Sequence, residues 1–337
     1  MSDSKPLVQA QDLAMSFDVS APWLNRLIEG KPRQLLHAVD GVSFSIQRGQ
    51  TLALVGESGC GKSTVARLLV GLYQPTRGSM HFDGQDAHAA YRSADARALR
   101  QRIQMIFQDP YASLNPRWTV LAIVGEPLRE HGLIQDEAGL KDRVAELLAS
   151  VGLSAQDMGK YPHQFSGGQR QRIGSARALA VAPDFVVAEG PGSALDVSVQ
   201  AQIVTLLVEL RRRLGLTMLF ISHDLAVVEH LCDHVIVLYL GKVMEIAPAA
   251  EIYAAPRQPY TRALLSAAPQ PDPDAPRRRI LLSGDLPSPA NPPPGCVFST
   301  RCPSATERCR REVPALEEKS PGRCVACLRA DEIDAPG

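Results

Sequence analysis

The stretch TLALVGESGCGKSTVARLLVGLY, residues 51–73, decides the fold. Five apolar or β-prone residues lead into three glycines, and apolar residues at helical spacing follow. Gly56 to Thr64 (Gly56, Glu57, Ser58, Gly59, Cys60, Gly61, Lys62, Ser63, Thr64) read G-x-x-x-x-G-K-[ST] between a strand and a helix, the context that gives this pattern physical meaning. Glycines let successive backbone N–H groups curl around a phosphate, and the helix N-terminus adds partial positive charge. Lys62 is placed to neutralise β- and γ-phosphates, and Ser63 to offer its hydroxyl to Mg²⁺. The competing reading is a Gly-rich turn ahead of a helix; the correct flanks weigh against it.

Outward from this loop, strands are predicted at 51–55, 103–107, 185–188, 217–221 and 234–240. Helical periods fall at 62–72, 139–151, 168–181, 198–214 and 223–231. The alternation predicts an α/β fold with a parallel sheet covered on both faces. Before residue 50, LVQAQDLAMSF and VSFSIQ alternate like antiparallel strands, with an irregular insertion at 18–36. Residues 115–170 read as an inserted helical subdomain. From about 256 the composition shifts: 15 of the 26 prolines and five of the seven cysteines lie there, marking a tail module. The expected division is a nucleotide-binding domain over 1–255 and a tail over 256–337.

Lys plus Arg and Asp plus Glu both count 36, so net charge gives no pull toward nucleic acid or a membrane surface. No segment approaches 18 uninterrupted apolar residues, which excludes a predicted membrane span. The start, MSDSKPLVQAQ, has no apolar run after a basic stretch, so no secretory signal is expected. A cytoplasmic protein follows, and in a reducing cytosol seven cysteines do not read as a disulfide framework.

Four further motifs are weak singly. IQMIFQDP (103–110) is a strand ending in Gln108, which alone reads as a strand-end hydrogen bonder. FSGGQRQR (165–172) opens a helix with Ser166, Gly167 and Gly168, and alone reads as a turn. SALD (193–196) and LFISHD (219–224) follow, and His223 alone reads as a capping or core histidine. Their order and spacing together resemble the nucleotide-binding subunits of ABC transporters over nearly the whole chain. The resemblance implies a P-loop cassette with a parallel-sheet core, an antiparallel β subdomain and an inserted helical subdomain. It implies ATP held between two subunits. Gly56 to Thr64 would form the phosphate loop, and Gln108 would reach Mg²⁺ and the attacking water. Ser166, Gly167, Gly168 and Gln169 would bind the γ-phosphate of the partner's ATP, Ser193 to Asp196 would cross the interface, and His223 would contact the γ-phosphate. Phe17 stands where an aromatic stacks on adenine; alone it reads as core, since it ends an alternating strand.

A narrower likeness lies in the insertion before the phosphate loop, in QDPYASLNPR (108–117), PRQPYTRALLSAAP (256–269) and LPSPANPPPGCVF (286–298). These resemble the peptide-importer branch, in particular the dipeptide-permease ATP-binding subunit that pairs with a sister ATPase. The likeness implies a heterodimer on the cytoplasmic face of the membrane, two transmembrane permease subunits, an indirect link to a substrate-binding protein, and no nucleic acid. Residues after Gln108 would meet a permease coupling helix.

One stretch departs from the pattern. In this family the strand at 185–188 runs into an aspartate that anchors water on Mg²⁺, then a glutamate that acts as general base. Aligned on PDFVVA and Pro191, this chain has Glu189 and Gly190, with Gly192 where Val or Thr is usual. Glu189 keeps the charge one methylene farther out, and Gly190 has no side chain to act as base. Loss of a general base costs about 10²–10⁴-fold in rate. A register slip that makes Glu189 the base would leave Ala188 as the metal ligand, so the expectation is an impaired site. Ser175 is a smaller departure, polar where an aliphatic is expected.

The cysteines of the tail are spaced C-x₅-C-x₆-C-x₁₄-C-x₂-C. On chemistry alone this means zinc, iron–sulfur, or free buried thiols. The resemblance implies a [4Fe–4S] cluster on Cys296, Cys302, Cys309 and Cys327, with Cys324 a bystander. Cys60 and Cys232 read as packing residues.

Overall fold

In a computed structural model of the chain, residues 5–22, 25–26, 28, 30, 32–192, 195–268 and 279–333 are described. They fall into two units, one of residues 1–46, 52–86 and 223–337, the other of 47–51 and 87–222.

The first unit holds two sheets. Strands β1 (Val8–Asp18), β2 (Leu35–Ile46), β4 (Arg77–Phe82) and β5 (Gln85–Asp86) form an antiparallel sheet in the order β2-β1-β4-β5. The alternation read in the sequence sets its register: Val8 opposes Ile46, Ala10 opposes Phe44, and the inward residues Leu13, Val39, Val42 and Ile46 are fully buried. The insertion between β1 and β2 lies partly outside the described residues; its ends are tied by an Asp18–Arg33 ion pair of 2.8 Å.

In the second sheet β3 (Thr51–Val55) runs parallel to β9 (His234–Tyr239), which turns back into β10 (Lys242–Pro248). The C-terminal region then adds two strands that the composition does not foretell. β12 (Arg323–Val325) pairs with β10, and β11 (Glu317–Ser320) pairs with β12. The join is ionic as well as laddered. Glu245 of β10 is fully buried and accepts from the Arg257 and Gln258 N–H groups at 3.1 and 3.0 Å and from Arg323 at 2.8 Å. Arg323 also donates to the Ala255 carbonyl. A buried ion pair with several further hydrogen bonds to the main chain fixes how the region docks, even where its net contribution to stability is small.

The second unit has parallel strands β6 (Ile103–Ile106), β7 (Phe185–Glu189) and β8 (Thr217–Ile221) in direct register. β7 and β8 are buried at every position, and their apolar runs FVVA and MLFI suit a parallel sheet covered on both faces. Within 115–170 lie helices α2 (Val120–Glu130) and α3 (Glu137–Ser150), N-capped by Thr119 and Asp136. They approach closely because Gly125 has no side chain: a Cβ there would sit 3.2 Å from Leu140. Helices α4 (Gly167–Leu179) and α5 (Val197–Leu214) complete this unit. Ser175 is fully buried on α4 and donates back to the Gln171 carbonyl at 3.0 Å, which satisfies its hydroxyl without a tertiary partner.

Candidate functional site

In the first unit the phosphate loop leaves β3 and enters helix α1 (Lys62–Leu69). Its glycines are demanded by the backbone. Gly56 has φ +151°, and a Cβ on it would meet the Leu238 carbonyl oxygen at 2.2 Å. Gly61 has φ +106°, and a Cβ there would meet the Ala38 carbonyl oxygen at 2.2 Å. Gly59, at φ +80°, faces open space instead. Gly61 caps α1 without a side-chain hydrogen bond, so the first-turn N–H groups are left for a ligand. Lys62 Nζ lies back along the loop, donating to the Gly56 and Glu57 carbonyls at 2.7 and 2.8 Å. A cradle with these donors and this cation fits a triphosphate, and Ser63 heads the helix where a Mg²⁺ ligand belongs. Cys60 is fully buried inside the loop, and burial pushes its thiol pKa up despite Lys62 nearby; with Cys232, also buried, it packs. The helix is three residues shorter than the predicted 62–72, because Gly71 turns left-handed at φ +72° and stops it.

Phe17 is half-buried at the end of β1, its ring edge-on to Tyr73 at 5.5 Å. His223 is exposed and follows β8 in sequence; its neighbour Asp224 caps helix α6 (Leu225–Leu231), accepting from the Ala226 and Val227 N–H groups. The helix therefore begins two residues later than the predicted 223, at the capping acid.

In the second unit Gln108 is exposed just past β6. Residues that the sequence did not single out hold this loop. Gln171 donates to the Phe107 carbonyl at 3.2 Å, Arg177 donates to the Ser113 carbonyl at 2.7 Å, and Arg170 lies 4.0 Å over the Tyr111 ring. All three project from α4, so the helix opened by SGGQ also orders the chain after Gln108. Ser166 and Gln169 form a reciprocal capping box: Ser166 Oγ accepts from the Gln169 N–H at 3.3 Å, and Gln169 Oε1 from the Ser166 N–H at 3.0 Å. Gly167 and Gly168 pack closely against side chains at and just before the start of α5: an added Cβ would meet a Leu195 methyl at 2.5 Å and a Val199 methyl at 2.4 Å. Asp196 is exposed at the start of α5 and makes no side-chain cap. Ser193 lies outside the described residues.

At the end of β7, Glu189 is 6% exposed, opposite Ile221. Gly190 turns left-handed at φ +47° and donates its N–H to the Ile221 carbonyl at 2.8 Å. Gly192 has φ +96°, and a Cβ there would crowd Gln200 at 3.2 Å.

Cys296, Cys302, Cys309 and Cys327 line one cavity of about 20 Å³ beside Phe298, and Cys324 does not. Yet among the described residues no group of three or more His, Cys, Asp or Glu side chains is set to hold a metal ion. Burial raises the thiols, Cys296 to about 11 and Cys302 and Cys327 upward. The expected [4Fe–4S] site thus has no support in this structure.

Comparison with known proteins agrees with the geometry of the loop and strands. The ABC transporter family matches residues 39–192, and the oligopeptide/dipeptide transporter C-terminal region matches 244–309. The oligopeptide transport ATP-binding protein AppF of Bacillus subtilis is 47% identical over 97% of this chain and 98% of its own length. This chain belongs to the ABC transporter ATP-binding family, in its oligopeptide/dipeptide branch. A protein of Brucella ovis named as a peptide import ATP-binding protein is 56% identical over 87% of this chain and 92% of its own. Among solved structures, the dimeric cassette MJ0796 in a post-hydrolysis state bound to ADP and Pi matches with a TM-score of 0.62 and 26% identity, over 72% of this chain and 98% of that one. The cbiO1 cassette of Clostridium perfringens matches with a TM-score of 0.62 and 27% identity, over 74% and 92%. The chain is thus an ATP-binding subunit of a peptide importer, and an ABC ATPase of this kind uses ATP and Mg²⁺.

Proposed function

We propose that this subunit works as one half of a non-identical ATPase pair, its own hydrolytic site impaired and its serine–glycine segment completing the sister's. The observation that carries this is the end of β7. Glu189 is the only acid there, and the residue where a general base would stand is a glycine whose backbone N–H is already bonded to Ile221. In this reading Gly56 to Thr64 bind the triphosphate, and Ser63, Gln108 and Glu189 serve Mg²⁺. His223 contacts the γ-phosphate and Phe17 stacks on adenine. Ser166 to Gln169 and Asp196 face the neighbour's nucleotide.

The same reading divides the chain into a cassette over 1–255 and a tail over 256–337. It places the subunit peripherally on the cytoplasmic face of the membrane, under two permease subunits that receive di- or oligopeptides from a binding protein. Tyr111 and Trp118, exposed on the loop after Gln108, supply an apolar surface for a permease helix. Among the described residues no helix is long and apolar enough to cross a membrane itself.

A second reading, a regulatory cassette that binds ATP without hydrolysing it, draws on the same glycine. Single-turnover hydrolysis by the assembled pair, with the sister's general base replaced by glutamine, tests the first. The expected rate is at least about 10²-fold below that of the intact pair. Brisk turnover by the remaining site overturns the proposal. An intact pair that binds ATP and hydrolyses none favours the second reading.

A further inference from the structure

We propose that Arg301 and Tyr260, both from the C-terminal region, are positioning residues of the phosphate loop. The inference rests on the reading of residues 56–64 as the nucleotide site. Glu57, the second residue of that loop, is held from two directions. Arg301 donates from both terminal nitrogens to the two carboxylate oxygens, at 2.7 and 3.3 Å, and also reaches the Tyr239 hydroxyl at 3.4 Å. Tyr260 Oη accepts the Glu57 backbone N–H at 2.8 Å.

The surroundings make this more than a surface ion pair. The Arg301 side chain is 11% exposed and that of Glu57 30%. Tyr239, Tyr260 and Phe298 pack around the contact with ring centroids 4.7 to 5.3 Å apart, and Tyr260 and Phe298 are fully buried. A two-pronged guanidinium–carboxylate contact in such a setting fixes orientation as well as charge.

The link to function runs through Lys62. Its Nζ donates to the Glu57 carbonyl at 2.8 Å, so the residue that Arg301 clamps by its side chain and Tyr260 by its N–H also seats the phosphate-binding lysine by its C=O. With the clamp gone, the peptide planes on both sides of Glu57 are free to swing, and the lysine loses a defined resting place. A mere staple between tail and sheet predicts something different: a lower melting temperature with no change in nucleotide affinity.

The test uses the full chain, with Mg-ATP binding measured by isothermal titration calorimetry and thermal melting recorded without nucleotide. Arg301→Met is expected to weaken Mg-ATP binding about tenfold. Arg301→Lys, which keeps the charge and loses the fork, recovers part of that. Tyr260→Phe and Glu57→Gln shift affinity in the same direction by less. Glu57→Gln sits on a half-exposed loop and decides the matter if Arg301→Met does not fold. Lys62→Ala is measured alongside. If it binds Mg-ATP like the wild type, the site reading falls and the inference with it. If it loses binding while Arg301→Met and Glu57→Gln bind like the wild type, the inference alone is overturned.

Discussion

Two strand ends in this chain are built on glycine, and they use it in opposite ways. After β3, Gly56 and Gly61 are packed against main-chain carbonyls, and the turn they make leaves the first N–H groups of α1 uncapped. After β7, Gly190 also turns left-handed, but its N–H is consumed by Ile221, and Gly192 closes against Gln200. The same backbone freedom leaves donors open at one strand end and, in the proposed function, stands in place of a reactive side chain at the other. A glycine-rich strand end is therefore not in itself a sign of ligand chemistry; what matters is where its donors go.

The contrast can be broken by measurement. Gly56→Ala forces a Cβ to 2.2 Å from a main-chain oxygen at a φ that L-residues rarely adopt, so its cost is expected to be about 3 kcal/mol or more, read as a fall in the urea midpoint. Lys62→Ala follows. It removes the loop's cation, and Mg-ATP affinity is expected to drop about 10²-fold, with Glu189→Gln losing less. Gly190→Ala comes next, at about 1–2 kcal/mol of stability, the cost of holding an L-residue at φ +47°. Equal costs at 56 and 190 would erase the distinction between the two strand ends.

What was legible in the sequence follows the range of the interactions. The phosphate loop is written within nine residues, because each of its demands is local: left-handed turns, a lysine, a helix start. β7 and β8 are legible because strands buried on both faces read as near-continuous apolar runs, FVVA and MLFI here. The strands EEKS and RCV are not, being short and largely polar, RCV held by β10 and EEKS only by RCV. Glu245 in KVMEIAP looks like any surface acid until Arg323, 78 residues later, is brought to it. Arg301 is hidden in the same way, 244 residues from Glu57. Cysteine count and spacing were readable, while setting Cys324 apart from the other four rested on the family resemblance. Whether thiols converge as ligands depends on burial and side-chain direction, which spacing does not encode.

The smallest effect concerns Ser166, where structure and chemistry overlap. In the isolated chain its hydroxyl accepts from the Gln169 N–H, and the Gln169 side chain returns a bond to the Ser166 N–H. Ser166→Ala removes one arm of that box at an exposed helix start, where water replaces the lost acceptor, so the expected loss is about 1 kcal/mol in the urea midpoint of the chain alone. The close packing of Gly167 on Leu195 and of Gly168 on Val199 is untouched by the change, so the helix stays in place. Any larger deficit that appears only when the chain is paired with a second ATPase then belongs to the neighbour's nucleotide and not to the fold. A loss well above that figure in the isolated chain would mean that Ser166 is first of all a structural cap, and the serine–glycine segment would lose its claim to be the better preserved half of this subunit's chemistry.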